Sequence, residues 1–355
     1  MISEQAIAPS AIQAAPRQHA PIEHVVVAGG GTAGWSTAAI LSSLPSLRIT
    51  VLEPSDIATL GVGESTLPHL HLAHQTMGFK SFACADWLDQ VDGTVKLTIE
   101  FADFFKKGSL WVHPFFDAHG LDRAWLTDRL LRGLPCDAHR DQASFMFAHT
   151  LAGQRRARDF IDNVSWFKQA SCDKEGAFHL NALRYAQYLK ARTLERAQVA
   201  ALDDAIGTVS YQEDGSIASL KLRSGVSLTA DLYIDCTGSR AVLLNALDEP
   251  WVSAHDRLLV DGAWLIQLPY RDRSTQLRNT TYCHALSSGW VFNIPLQSRI
   301  GTGYIFSSSH QSDEAAACEF AHHLQTLYGY EIDHLALRRL RFPTGYRNKQ
   351  WVKNV

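Results

Sequence analysis

A lysine, a glycine turn and a pair of rings carry the chemical content of this chain. Lys96 stands in Asp92-Gly93-Thr94-Val95-Lys96-Leu97-Thr98-Ile99-Glu100-Phe101. Alternation along a strand sends its amine to the side opposite Val95 and Leu97, where it could project into a cavity. A desolvated amine has a lowered pKa and serves as a nucleophile or hydrogen-bond donor. A strand lysine is more often simply solvated, so both readings stand at this point. Gly29-x-Gly31-x-x-Gly34 meets a dinucleotide's demands in order: a tight turn, close approach of phosphate to backbone, and close packing of helix on strand. The pyrophosphate would sit at the positive end of the next helix, against Thr32 and Ala33. Glu53, about 20 residues on, is the acid expected to accept ribose hydroxyls. Downstream, Gly289-Trp290-Val291-Phe292-Asn293-Ile294-Pro295-Leu296 reads as a buried strand with Trp290 and Phe292 on one face, a flat aromatic wall.

These groups need elements to hold them. Residues 24–28 form an apolar strand, 35–42 a small-residue helix and 48–52 a second apolar strand, giving a βαβ unit closed by Glu53. The pattern turns helical over 65–77, and 96–105 alternates as a strand. A helix over 180–197 leads into runs at 205–211, 217–222 and 228–236. They are separated by Asp214-Gly215 and Ser224-Gly225 and read as a three-stranded meander returning to the parallel sheet. Runs at 263–269, 290–295 and 303–306 suit a second sheet, and 314–328 a helix. No repeat or low-complexity linker separates these parts, so interleaved modules are expected.

Composition narrows the function classes. The 355 residues are 46% hydrophobic, enough for a large core or two modules sharing an interface. A net charge of −3 without a basic patch argues against nucleic acid. No apolar run reaches the roughly 18 residues that span a bilayer. The Ala-, Pro- and Gln-rich start lacks the charged-then-apolar order of a secretory signal, and residues 1–22 read as a mobile tail. The six cysteines (Cys84, Cys136, Cys172, Cys236, Cys283, Cys318) are scattered without a Cys-x-x-Cys pair and fit reduced core thiols in the cytoplasm. His69, His71 and His74 invite a metal reading, yet only His71 and His74 share a helix face and no carboxylate stands at a useful offset. Surface or partly buried helix histidines are the expectation there, and His322-His323 fails the same test. No metal is expected.

Several of these segments, in this order, resemble the flavin-dependent halogenases of the tryptophan halogenase family. The Trp290 strand resembles their Trp-x-Trp-x-Ile-Pro signature, with Phe292 in place of the second tryptophan. Gly61-Val62-Gly63-Glu64-Ser65-Thr66-Leu67-Pro68 resembles the flavin strap that links the cofactor and substrate sites. Its two glycines let the backbone curl over a ligand. The Lys96 segment is similar to the Gly-x-x-x-Lys-x-x-Ile-x-Phe stretch holding the family's active-site lysine, whereas Lys80 lies outside that motif. His113-Pro114-Phe115 resembles a His-x-Phe lining the substrate pocket. Asp231-Leu232-Tyr233-Ile234-Asp235-Cys236-Thr237-Gly238 resembles the second flavin-side motif of FAD-dependent monooxygenases and reductases. Residues 290–308, Gly345-Tyr346-Arg347 and Trp351-x-x-Asn354 are also close in character, so the likeness runs from His24 to the end.

The resemblance implies an α/β, FAD-binding Rossmann-like fold of the glutathione-reductase or flavin-monooxygenase kind, with an interleaved second sheet and a helical substrate module. FAD-binding parts would fall at about 23–70 and 180–245, and substrate-side parts at about 71–179 and 246–340. It implies flavin contacts at Val62, Glu64, Ser65 and Gly238, and a substrate wall or tunnel at His113, Phe115, Trp290, Phe292 and Pro295. In that family FADH2 from a separate flavin reductase reacts with oxygen and then chloride or bromide. Hypohalous acid crosses a tunnel to the lysine, which delivers halogen to an electron-rich aromatic of tryptophan, indole or phenol type. A homodimer is compatible with the resemblance. Phe292 makes a smaller wall, which implies a substrate other than tryptophan and some leakage of peroxide. Family members continue past the position of Asn354 into a flavin-contacting helix and a Glu-Pro-Leu-Glu-Ser-Thr stretch with halide-binding amides and a catalytic glutamate. Glu249-Pro250-Trp251 does not match it, so a C-terminally truncated halogenase is expected. A flavin-dependent aromatic monooxygenase and a non-catalytic flavin-binding remnant stay open as alternatives.

Overall fold

The computed structural model describes residues 21–57, 61, 64–79, 85–96, 98–114, 177–278, 280–333 and 336–355. Val62, Phe115, Lys80, Cys84, Cys136, Cys172 and the expected tail through residue 20 lie outside the described residues.

A parallel sheet carries the chain's start. Its order is β12 (Leu232–Asp235), β1 (His24–Ala28), β2 (Arg48–Leu52) and β8 (Val199–Leu202). Every residue of β1 is buried, as an inner strand covered on both faces requires. Val25 and Val27 pack with helix α1 (Thr32–Leu41) and the helix over Ala182–Leu194, while Val26 and Ala28 pack toward a second layer. That layer is an antiparallel sheet of β11 (Ser227–Leu228), β10 (Ile217–Leu222) and β9 (Ile206–Tyr211). The expected third meander run is divided: Ser227–Leu228 stays with the meander, and Leu232–Asp235 joins β1. The Asp231 carboxylate accepts from the Glu23 and His24 amides at 2.9 Å each and anchors that junction.

A seven-stranded sheet forms the other half. Its order is β18 (Arg338–Arg341), β14 (Gly262–Pro269), β17 (Arg299–Phe306), β16 (Gly289–Pro295), β15 (Thr280–Leu286), β5 (Thr98–Ala102) and β6 (Leu110–Pro114). The helix over Asp313–Tyr328 covers one face, where Val291, Tyr304 and Phe306 meet Phe320. A two-stranded sheet of β13 (Trp251–Ser253) and β19 (Gly345–Arg347) lies apart from it. Between the halves is a small sheet of β3 (Glu64–Ser65), β7 (Ala177–Leu180) and β4 (Thr94–Lys96). Two short helices, α2 (Leu70–Thr76) and α3 (Ala85–Gln90), precede β4; the Ala182–Leu194 helix is α4 and the Asp313–Tyr328 helix is α5.

Three expected elements change. The first helix begins at Thr32, inside the glycine turn, because the Trp35 amide already bonds the Gly31 carbonyl at 3.0 Å. The helical pattern over 65–77 starts only at Leu70, because Glu64 and Ser65 pair with β7 as a strand. The single strand over 96–105 is two: β4 ends at Lys96 in the small sheet, and β5 starts at Thr98 in the large one.

Candidate functional site

Backbone shape builds the first part of the site. Gly29 has φ +111°, and a Cβ there would lie 2.2 Å from the Cys236 carbonyl oxygen. A Cβ on Gly34 would lie 1.7 Å from the Gly29 oxygen, so helix and turn touch only through glycine. No side chain caps α1 at Gly31 and no acidic residue occupies its first turn. Its leading amides therefore suit an anion. Across the turn, Asp235 accepts from Thr237 and from the Leu243 and Leu244 amides, which shapes the Thr237-Gly238 loop. Gly238 has φ +68° and open space where a Cβ would stand. A cavity of about 1150 Å³ runs between these loops, lined among others by Gly29, Gly31, Thr32, Ala33, Glu53, Glu64 and Gly238. Its size, glycine floor and acid at one end fit a dinucleotide.

Lys190, unnoticed in the sequence, reaches Glu53 at 2.6 Å. Its ammonium also lies 5.7 Å from the Trp35 ring centre. Only its place on an amphipathic helix marked it, which is a weak signal. The acid expected for ribose thus lines the cavity already holding a basic partner.

The strap is pinned by β7. Thr66 donates its amide to the Phe178 carbonyl at 2.8 Å and accepts the Phe178 amide on Oγ1 at 2.9 Å. Glu64 Oε2 accepts the Ala182 amide at 2.8 Å, at the positive end of α4. Ser65 does not line the cavity; its hydroxyl lies 3.2 Å from Thr281 Oγ1 on β15.

Lys96 is buried at the end of β4, and its Nζ donates to the Thr66 carbonyl at 3.1 Å. Val95 points the other way into the core with Trp87 and Phe178, as alternation requires. Burial pulls the amine down to about 8, with the nearby Cys283 thiol opposing. Burial in turn raises the Cys283 thiol to about 11.

Trp290 and Phe292 lie on the face of the seven-stranded sheet opposite α5. Both are half-buried rather than buried, because α5 covers the Val291 side only. Phe292 aligns with Cys283 on one neighbour and Gly303 on the other. A Cβ on Gly303 would meet the Phe292 ring at 2.7 Å, so that glycine makes room for the ring. Cys283 aligns with Phe101, whose ring stacks on Trp111 at 4.6 Å. His113 is exposed on β6, its ring 6.1 Å from Trp111. Pro295 enters through its carbonyl, which accepts from Thr94 at 2.7 Å.

The histidines and thiols differ from expectation in part. His74 is buried rather than at the surface or partly buried: Nε2 lies 2.7 Å from the Tyr185 hydroxyl, and burial lowers its pKa to about 4. His71 Nδ1 lies 2.7 Å from the Pro68 carbonyl. His323 is buried beside His284, ring centres 4.7 Å apart, and burial followed by that neighbour lowers it to about 4. Among the described residues no three His, Cys, Asp or Glu side chains are placed to hold a metal ion. Cys283 is buried, Cys236 half-buried and Cys318 exposed on α5, so the expectation of core thiols fails for Cys318. No described helix is long and apolar enough to cross a membrane. The residue that sequence reasoning missed most plainly is His179, fully buried between Thr94 and Thr281.

Known proteins share this fold. The family model for tryptophan halogenase matches residues 24–355. The tryptophan 7-halogenase RebH of Lentzea aerocolonigenes is 28% identical over 94% of this chain and 64% of its own length. The tryptophan 6-halogenase ThaL of Streptomyces albogriseolus gives the same identity and coverage. The chain thus spans 64% of the length of these curated relatives. Among solved structures, a tryptophan halogenase from Shewanella frigidimarina superposes with a TM-score of 0.76 at 27% identity, covering 94% of this chain and 65% of that one. Xcc4156, a flavin-dependent halogenase from Xanthomonas campestris, gives 0.75 at 29% identity, covering 94% and 64%.

Proposed function

Because the chain belongs to the tryptophan halogenase family, we propose that it takes part in flavin-dependent halogenation of an electron-rich aromatic, with Lys96 as the halogen-handling residue. The observation that carries this reading is the buried Lys96 amine held against the Thr66 carbonyl of the strap. Reduced FAD, when bound, supplies with dioxygen the two-electron oxidation of chloride or bromide to hypohalous acid. The glycine turn and the α1 amides hold the pyrophosphate, and Glu53 takes the ribose after exchanging or sharing Lys190. Gly238 and the strap residues Val62 and Glu64 border the flavin, while Ser65, expected beside it, holds the strap to Thr281 instead.

Lys96 donates an N–H to the oxygen of hypohalous acid and so polarises the oxygen–halogen bond. An aromatic carbon then takes the halogen, its proton is lost, and water leaves. An amine titrating near 8 gives up and regains a proton more readily than an ordinary lysine. Trp290, Phe292 and Pro295 belong to the partition between the two chemistries, and His113 and Phe115 to the substrate side. Enclosure keeps the oxidant from bulk water. Phe292 bears on substrate choice and on the tightness of that seal, since a phenyl ring is smaller than indole and donates no N–H bond. The reading includes a separate flavin reductase as the source of FADH2, a tryptophan, indole or phenol substrate, and reaction in the cytoplasm.

Given a flavin reductase, oxygen and chloride, the protein is expected to add chlorine to an indole or phenol, read by the isotope pattern in mass spectra. Only oxygenated product would sink the halogenase reading and favour a monooxygenase. Lys96→Ala is expected to abolish chlorination while FAD still binds; retained chlorination would remove Lys96 from the reaction.

A further inference from the structure

His179 lies where the strap, the lysine strand and the aromatic strand meet. It stands on β7, opposite Ser65 of β3 on one side and Thr94 of β4 on the other. Its Nδ1 is 2.9 Å from Thr94 Oγ1, and its Nε2 is 2.9 Å from Thr281 Oγ1. Beyond them, Thr94 Oγ1 donates to the Pro295 carbonyl at 2.7 Å, and Thr281 Oγ1 lies 3.2 Å from Ser65 Oγ.

Counting protons gives the direction of every bond. A carbonyl only accepts, so the one hydroxyl proton of Thr94 goes to Pro295. Thr94 must then accept from His179 Nδ1–H. Burial, and then the nearby Lys96 charge, hold the imidazole well below its usual 6.5. The ring therefore carries a single proton, and Nε2 accepts from the Thr281 hydroxyl. Thr281 in turn accepts from Ser65. All four bonds run one way, from the strap to the carbonyl that ends the Trp290 strand.

We infer that His179 is a positioning residue that clamps the strap to the aromatic strand and thereby sets where the Thr66 carbonyl holds Lys96. The inference rests on the proposed reading of the strap, Lys96 and the Trp290 strand as one site. It goes beyond ordinary core satisfaction because both ends of the relay are elements of that site. Thr66 follows Ser65 directly, and its carbonyl receives the Lys96 amine. The two Phe178 bonds hold Thr66 on one side and the Ser65–Thr281 contact holds the strap on the other, so losing that contact lets the carbonyl shift.

The test divides the ring into its two functions. His179→Gln places an acceptor where Nε2 stands, His179→Asn places an amide donor where Nδ1 stands, and His179→Phe supplies neither. The readouts are the labelling rate of Lys96 by acetic anhydride at one fixed pH, followed by mass spectrometry, and the FAD dissociation constant. Circular dichroism checks the fold. In the Phe and Asn variants Lys96 is expected to label about tenfold faster and FAD to bind about tenfold more weakly, the upper end of one lost hydrogen bond. The Gln variant, which keeps the strap end, is expected to stay within about threefold of wild type on both. If His179→Phe does not fold, Thr281→Val, which breaks two bonds of the relay, and Ser65→Ala, which breaks one, must each speed labelling by at least about threefold. Unchanged labelling in these variants, or equal acceleration in Gln and Asn, overturns the relay. A wild-type protein that binds no FAD yet shows the labelling pattern sinks the cofactor reading and leaves the relay standing.

Discussion

The glycine turn and the lysine pocket make room for ligands by opposite means. Around Gly29 and Gly34 the space exists because side chains are missing: an added Cβ would lie 2.2 or 1.7 Å from backbone oxygen. Around Lys96 the space is crowded with polar side chains, and His179, Thr94 and Thr281 are all buried and bonded to one another. The first arrangement is intolerant of any addition and indifferent to pH. The second tolerates changes of similar shape but answers to protonation. The difference predicts which substitutions break each half.

Gly34→Ala is the harshest test of the first arrangement. Its Cβ collides with backbone that belongs to the turn itself and has no rotamer to move aside. A loss of about 4 kcal/mol or more is expected, read as failure to fold or a collapse in thermal midpoint. A variant with a near-native midpoint would mean that the turn can open, and the rigid-floor account of the cavity would fall.

Lys96→Met turns to the second arrangement and reverses the sign. The folded pKa of about 8 lies below the ordinary 10.5, so burying the protonated amine costs stability. That cost is full below about pH 8 and is relieved as pH rises from 8 to 10.5, where the unfolded chain binds the extra proton. Methionine removes it, and a gain of about 3 kcal/mol at pH 7 is expected by denaturant titration. The wild type should also gain stability between pH 8 and 10.5 while the variant does not. Equal slopes would show that Lys96 is not desolvated. Stability lowered by a residue proposed to serve the reaction is the pattern expected where function constrains a core.

The same contrast decides what was legible in the sequence. The glycine turn could be read because its demands are local: strand, turn and helix lie within residues 24–41. The first strands, the meander pair and the Trp290 strand were legible for that reason. The split between a strand ending at Lys96 and one starting at Thr98 was not, because it depends on β4 finding β7 and β5 finding β15. His179 was invisible for a related reason. Its partners Thr94 and Thr281 lie 85 and 102 positions away, and Ser65 and Thr281 are 216 apart. A hydrogen-bonded core histidine has no period and no motif. Lys96 itself was ambiguous by alternation alone, and only likeness to a family gave it a role.

Acid reaches both halves through two different histidines. His74 is buried beside Trp87 and Tyr185 under the parallel sheet, and His323 beside His284 under the large one. Each is lowered to about 4. Their neutral burial contributes stability that is full above the unfolded value of 6.5 and lost as pH falls from 6.5 toward 4. By pH 5 each is expected to have given up about 2 kcal/mol. His74→Phe and His323→Phe should each flatten the acid limb of the stability curve by that amount. An unchanged limb in either variant would locate the acid sensitivity in other groups.

Glu53→Gln makes the smallest change and probes the border between the two arrangements. Here a charged side chain lies at the rim of the glycine-built cavity, paired with Lys190 at 2.6 Å and partly exposed at 28% and 39%. An ion pair open to water contributes less than about 1 kcal/mol to stability, so the thermal midpoint should barely move. The amide keeps an acceptor for a ribose hydroxyl but leaves Lys190 without its carboxylate. FAD affinity is therefore expected to fall by roughly threefold to tenfold, read by fluorescence titration at fixed salt. If affinity is unchanged while the midpoint drops by about 5 °C or more, Glu53 belongs to the scaffold and the cavity owes its selectivity to backbone alone.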